Sequence, residues 1–154
     1  MAKDDIVTNR RALRNFHILE HYEAGIALEG TEVKSIRAGL ANLQGSFARM
    51  EGREIVLHGA DIQPYEKASH EQHVSRRPRK LLLHRREIRK LFELVSIKGN
   101  TLVPLRLYWK QGRVKVELGV GKGKDAGDKR QDLKKKTASR EMERMVRGFN
   151  RRNH

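Results

Sequence analysis

The chain has 154 residues, of which 37% are hydrophobic and 34% charged, enough for one modest core and one appended segment. A formal net charge of +15 favours polyanionic partners, and the absence of cysteine excludes disulfides, a thiolate nucleophile and a cysteine zinc site. No apolar run approaches the ~20 residues that span a bilayer, and MAKDDIVTNRRALRN lacks the apolar stretch of a secretory signal, so a cytoplasmic protein with no membrane partner is expected.

Residues 1–12 read as unstructured. Residues 16–28, FHILEHYEAGIAL, are rich in β-formers, and Gly25 offers a bulge or bend. In TEVKSIRAG, Thr31 is the expected N-cap of a short helix, Val33 and Ile36 lie three apart, and Gly39 is the stop. SFARM and EIVLHGADI flank a turn expected at Glu51-Gly52. Residues 65–79 are polar and read as a loop. Ile88, Leu91, Phe92 and Val95 fall at i, i+3, i+4 and i+7, the stripe of an amphipathic helix. TLVPLRLYWK then turns at Gln111-Gly112 into RVKVELGV. Val114, Val116, Leu118 and Val120 alternate there with Arg113, Lys115, Glu117 and Gly119, so one face is buried. Pro104 requires an edge position or a bulge in the partner strand.

About six short strands and two or three helices give a mainly β, α+β domain over residues 1–120, a small antiparallel sheet closed into a barrel that removes its edges. Residues 121–154 hold 12 Lys/Arg against 5 Asp/Glu and little apolar content before Met142. They read as a basic tail, disordered in isolation. Within it Met142, Met145, Val146 and Phe149 keep helical spacing, which fits folding on a polyanionic partner.

Two enzyme-like patterns fail on context. His17-Ile-Leu-Glu20-His21 fits the H-x-x-E-H zinc-peptidase pattern, but on a strand Glu20 points away from both histidines. Gly121-x-Gly123-x-x-Ala126 fits a loose dinucleotide fingerprint, but no amphipathic helix follows and no βαβ unit precedes it. No metal, cofactor, small-molecule substrate or enzymatic activity is expected. A metal-dependent hydrolase using His17, Glu20 and His21 and a structural ribosomal protein stand as the competing classes.

The binding signals are stronger. Residues 76–90, RRPRKLLLHRREIRK, hold eight Lys/Arg and one Glu, with arginine predominating, as suits phosphate recognition. Lys80 and Arg85 in this run, and Lys34 and Arg37 in the short helix, are candidate RNA contacts. Glu23, an acid in a basic chain, can accept from base amino groups or a ribose hydroxyl.

YEAGIALEGTEVKSIRAG (22–39), HGADIQPY (58–65), RKLLLHRREI (79–88), LYWKQGRVKVELGVGKGK (107–124) and DKRQDLKKK (128–136) closely resemble the small protein B family of SsrA-binding proteins. The resemblance runs from about residue 8 to 148. It implies a six-stranded antiparallel barrel resembling an oligonucleotide-binding (OB) fold, with about three helices. It also implies an adaptor of trans-translation that binds the tRNA-like domain of transfer-messenger RNA and, as a monomer, delivers it to stalled 70S ribosomes. Elongation factor Tu (EF-Tu) and alanyl-tRNA synthetase act through that RNA. The tail would fold as a helix in the empty messenger channel, near the decoding centre, replacing codon–anticodon pairing so that the nascent peptide is tagged. By the same resemblance Glu23, Leu82 and His84 match the family's RNA-binding set, with His84 where asparagine is frequent. Asp128, Lys129 and Arg130 match its tagging motif, Met145 and Val146 its apolar tail residues, and Gly123 and Lys124 belong with the ribosome-binding tail.

Overall fold

The computed structural model describes residues 4–65 and 73–125 and, further on, 130–131, 133–138, 140–142 and 144–145. The chain divides into two compact units, Met1–Gly123 and Lys124–His154. The first runs β1 (Asp5–Thr8), α1 (Arg10–Asn15), β2 (Phe16–Ile26), α2 (Gly30–Arg37), β3 (Ala41–Asn42), β4 (Phe47–Glu51), β5 (Glu54–His58), β6 (Asp61–Ile62), β7 (Arg79–Leu82), α3 (Arg85–Val95), β8 (Asn100–Lys110) and β9 (Arg113–Gly123). No helix among the described residues is long and apolar enough to cross a membrane.

Six strands, β8, β4, β5, β7, β2 and β9, pair antiparallel in that order, and β9 returns to β8 to close a ring. This is the mainly β, OB-like architecture expected from the sequence. One long strand makes the closure possible. β8 meets β4 at Leu102 and β1 at residues 106–108, so one edge serves two neighbours. The β8–β9 turn has positive φ at both central residues, Gln111 (51°) and Gly112 (73°), which matches the twist of the flanking strands. The β4–β5 turn pairs Glu51 with Glu54, placing the bend at Gly52-Arg53, one residue beyond the expected position.

Alternation fills the ring as predicted: Val114, Val116, Leu118 and Val120 are buried among Ala24, Ile55, Leu57, Leu81 and Leu102. α3 closes the open end of the β8–β9 hairpin with Leu91, and the Asn100 side chain donates to the Leu94 carbonyl at 2.9 Å. α2 lies toward the turn end; its Ile36 enters the core and its Arg37 guanidinium sits 5.6 Å from the Trp109 ring centre.

The N-terminal segment is structured, contrary to expectation. Pro104 has no amide hydrogen, and β8 bulges between Pro104 and Arg106. The carbonyls thereby freed from the ladder accept from Asn9: its side chain donates to Pro104 O at 2.8 Å and its backbone to Leu105 O at 2.7 Å. The Asn9 Oδ1 accepts from the Ala12 amide and starts α1. Ala12, Val103 and Leu105 form a second small core with Phe16 and Ile18 outside the ring. It leaves no room at Gly119, where an added Cβ would lie 2.9 Å from Leu105 Cδ1.

Three further expectations are corrected. α2 begins at Gly30 and is capped by Glu29 rather than Thr31, in a capping box whose Glu32 accepts from the Glu29 amide at 2.8 Å. Thr31 instead meets His73 at 3.0 Å. The β2 bulge falls at Leu19, not Gly25. Phe92 is 59% exposed, and Leu94 takes its place in the packing of α3.

In the second unit the described residues from 130 to 145 have helical backbone, with Leu133, Met142 and Met145 exposed.

Candidate nucleic-acid interface

Strand register assembles the outer face of the ring. Leu82 of β7 lies opposite Gly25 of β2, which lies opposite Lys115 of β9, which lies opposite Tyr108 of β8. Beside this row runs a second: Glu23, Glu117 and Arg106. Residues directly opposite share a face, so these side chains form one outward patch.

Glu23 is its best-organised member. The Tyr108 hydroxyl donates to Glu23 Oε2 at 2.6 Å, and the Lys110 ammonium lies 3.1 Å from both carboxylate oxygens. Tyr108 and then Lys110 hold the Glu23 carboxyl below the usual carboxylate range. Reciprocally, the Tyr108 hydroxyl is pushed up, first by burial and then by Glu23. An ionised carboxylate has about four acceptor sites, so an exposed Glu23 keeps capacity for a partner's donors.

Behind Tyr108 stands Arg106, its guanidinium 4.2 Å from the ring centre. Arg106 also pairs with Glu117 and with Asp5, which ties β1 to the patch. Burial lowers the Arg106 pKa, but Glu117 and Asp5 outweigh it and the net shift is upward. Glu117 in turn meets His21 Nδ1 at 2.8 Å.

Leu82 is 51% exposed, and Gly25 explains how it lies there. A Cβ at position 25 would come within 3.2 Å of Leu82 Cβ, so glycine lets the leucine rest on β2. Lys80, also exposed, pairs with Glu54 at 3.0 Å. The chain then turns into α3 through His84, the N-cap. Its imidazole takes the Glu87 amide while Glu87 Oε1 accepts from the His84 amide at 3.1 Å. Arg85 follows, exposed.

The structure thus brings Glu23, Lys80 and Leu82 onto one face, with His84 and Arg85 at its continuation. Lys34 and Arg37 are exposed on α2, apart from that row. Gly123 ends β9 opposite Phe16, and Arg130 and Met145 are exposed in the second unit. Asp128, Lys129 and Val146 lie outside the described residues.

The basic run 76–90 divides in two. Arg79 is fully buried and Arg77 half-buried, and both bind the buried carboxylate of Glu32. Arg79 also donates to the carbonyls of Ala60 (2.8 Å) and Ser75 (3.0 Å). These two arginines hold the loop rather than face a partner. Sequence reading missed Arg106, Tyr108, Lys110 and Lys115. The Gln111-Gly112 turn was the available signal, because it sets every cross-strand pair of the hairpin.

The metal pattern is otherwise engaged. Glu20 accepts from Tyr22 at 2.6 Å, burial and then this bond raise the tyrosine to about 12, and His21 is held by Glu117. No group of three potential metal ligands occurs among the described residues. Gly121 and Gly123 belong to an antiparallel strand, not to a phosphate loop before a helix.

The family model described as SmpB protein matches residues 6–148. An SsrA-binding protein of Carboxydothermus hydrogenoformans is 54% identical over 142 residues, covering 92% of this chain and 95% of its own length. The SsrA-binding protein of Bacillus subtilis is 53% identical over 139 residues, covering 90% and 89%. A solved chain described as "tmRNA-SmpB: a journey to the center of the bacterial ribosome" superimposes with a TM-score of 0.67 at 53% identity, covering 79% of this chain and 86% of that one.

Proposed function

This chain belongs to the SmpB protein family, and from that membership we propose that it is the RNA-binding adaptor of trans-translation rather than an enzyme. The body binds the tRNA-like domain of transfer-messenger RNA, and the basic C-terminal unit serves the stalled 70S ribosome. The observation that carries the first half is Glu23. It is an acid held by the Tyr108 hydroxyl and the Lys110 ammonium, exposed beside Leu82 on the outer face of a strongly basic chain.

The division of labour follows from chemistry. Lys80, Arg85 and Lys115 supply cations for phosphate, which bring affinity and salt dependence. Glu23 accepts from base amino or ribose hydroxyl groups, which cations cannot do, and so contributes selectivity. Leu82 offers an apolar contact to a sugar or base. The chain, acting as a monomer in the cytoplasm, engages alanyl-tRNA synthetase and elongation factor Tu through the RNA. On the ribosome the tail lies as a helix in the messenger channel, with Gly123, Lys124, Asp128, Lys129, Arg130, Met145 and Val146 contributing to accommodation in place of codon–anticodon pairing.

Deleting residues 128–154 tests this directly. Affinity for a transcript of the tRNA-like domain is expected to stay within about threefold of the full chain, while peptide tagging on stalled ribosomes is lost. Equal loss of both would refute the separation. Failure of the full chain to bind the transcript would refute the RNA assignment.

A further inference from the structure

A cleft of about 870 Å³ opens between the β4–β5 turn, β7 and the first turns of α3. Its floor is apolar, from Met50, Leu83 and Ile88, with the ring of Phe92 at its side. Phe92 is unusual. It sits on the apolar stripe of α3 yet is 59% exposed, while Leu91 beside it is fully buried. An aromatic left in water on a helix whose core contacts are complete without it is available to a partner.

The rim narrows what that partner is. Arg53, Lys80, Arg85 and Arg89 line it together with Glu54 and Glu93. Lys80 is paired with Glu54, whereas Arg53, Arg85 and Arg89 have no ion pair among the described residues. The free excess is cationic, so an acidic group is the complement. Leu82 lines this cleft and also lies opposite Gly25, two residues from Glu23 on β2, so the cleft continues the outer face. A planar apolar group joined to a phosphate fits both the aromatic wall and the cationic rim. We infer that the cleft receives one unpaired nucleotide of the bound RNA, its base stacked on Phe92 and its phosphate met by Arg85 or Arg89. The inference rests on the RNA reading above and deepens it. Stacking on phenylalanine uses only the π-face of a base, so the site selects for an unpaired nucleotide rather than for its identity.

The test uses the full chain and a fluorescein-labelled transcript of the tRNA-like domain, titrated at several salt concentrations. Phe92→Ala is expected to bind about tenfold more weakly with an unchanged salt slope, because no phosphate contact is removed. Phe92→Leu, which keeps apolar bulk but no π-face, is expected to lose nearly as much, and Phe92→Trp to retain full affinity. Arg85→Ala with Arg89→Ala is expected to lower the magnitude of the slope by about 1 to 2. The urea midpoint of each variant is expected to match the parent, since neither the ring nor the guanidinium groups are buried. Parent-like affinity of Phe92→Ala overturns the cleft assignment while leaving the RNA reading intact, and so does parent-like affinity of Phe92→Leu, which would show an apolar contact of another kind. If the parent chain does not bind the transcript, both readings fall.

Discussion

Glu23 and Glu32 are nine residues apart, and both carboxyls lie below the ordinary range, yet one is enclosed by its partners and the other stands open at the surface. For Glu32 burial pushes the carboxyl up, and Arg77, the Glu29 amide and Arg79 together outweigh it. Its oxygens are enclosed, and the residues around it tie α2 to the loop before β7 through Arg79, Arg77 and the Thr31–His73 contact. Glu23 is lowered chiefly by the Tyr108 hydroxyl and Lys110 at the surface, where water or a partner still reaches it. A depressed pKa therefore does not mark function by itself. Exposure of the remaining acceptor sites separates the enclosed acid from the one proposed to recognise RNA.

The largest effect that tests this contrast is on stability. Glu32 and Arg79 have 0% side-chain exposure, so Arg79→Met leaves a buried carboxylate short of a partner. A loss of about 3–5 kcal/mol in urea unfolding is expected, with RNA affinity of the folded fraction unchanged. The pH dependence follows from the lowered folded-state pKa. The stabilisation from Glu32 is complete above its unfolded value, near 4.5, and disappears as pH falls through the folded value. The parent's urea midpoint should fall below about pH 4.5, and Glu32→Gln should remove that part of the slope. A Glu32→Gln variant that stayed stable but failed to bind RNA would collapse the distinction.

That network also shows what the sequence could not disclose. Arg77 and Arg79 sit in the same basic run as Lys80 and Arg85, and charge patterning reads all of them as one exposed face. Burial of two of them depends on Glu32, more than forty residues earlier in the chain, and on carbonyls at Ala60 and Ser75. The β8–β9 hairpin was legible because its turn and its alternation are local. α1 was not, because Asn9 is fixed by Pro104 and Leu105, across 95 residues in the first case. Phe92 was misplaced for another reason: helical spacing defines a stripe about 100° wide, but only the part of it that meets the ring is covered. Leu82 and His84 became candidates through family resemblance and Glu23 also through its charge in a basic chain, whereas the polar partners that hold Glu23 follow only from the strand register.

A smaller effect sharpens the surface side of the comparison. Glu23→Gln removes a charged acceptor and should weaken transcript binding by about ten- to a hundredfold while stability moves by less than about 0.5 kcal/mol. Tyr108→Phe removes the donor that orients Glu23 but leaves the ring under Arg106 in place. About fivefold weaker binding is expected, and the Glu23 carboxyl, followed by NMR titration, should rise toward its ordinary value. Binding unchanged in Tyr108→Phe would mean that the partner orients Glu23 unaided.

The smallest effect concerns His84, which stands between the two regions. Its imidazole satisfies a helix N-terminal amide, a structural duty like that of Glu32, and its position at the edge of the outer face invites a recognising one like that proposed for Glu23. Asparagine is among the best residues at an N-cap, and it also carries an amide that can bond in two directions. His84→Asn should therefore keep stability within about 0.5 kcal/mol of the parent, and His84→Ala should lose about 1 kcal/mol. Transcript affinity separates the duties. If capping is the whole role, the alanine variant binds RNA normally once folded. If the ring also touches RNA, alanine weakens binding beyond what its lost stability explains, and asparagine restores it.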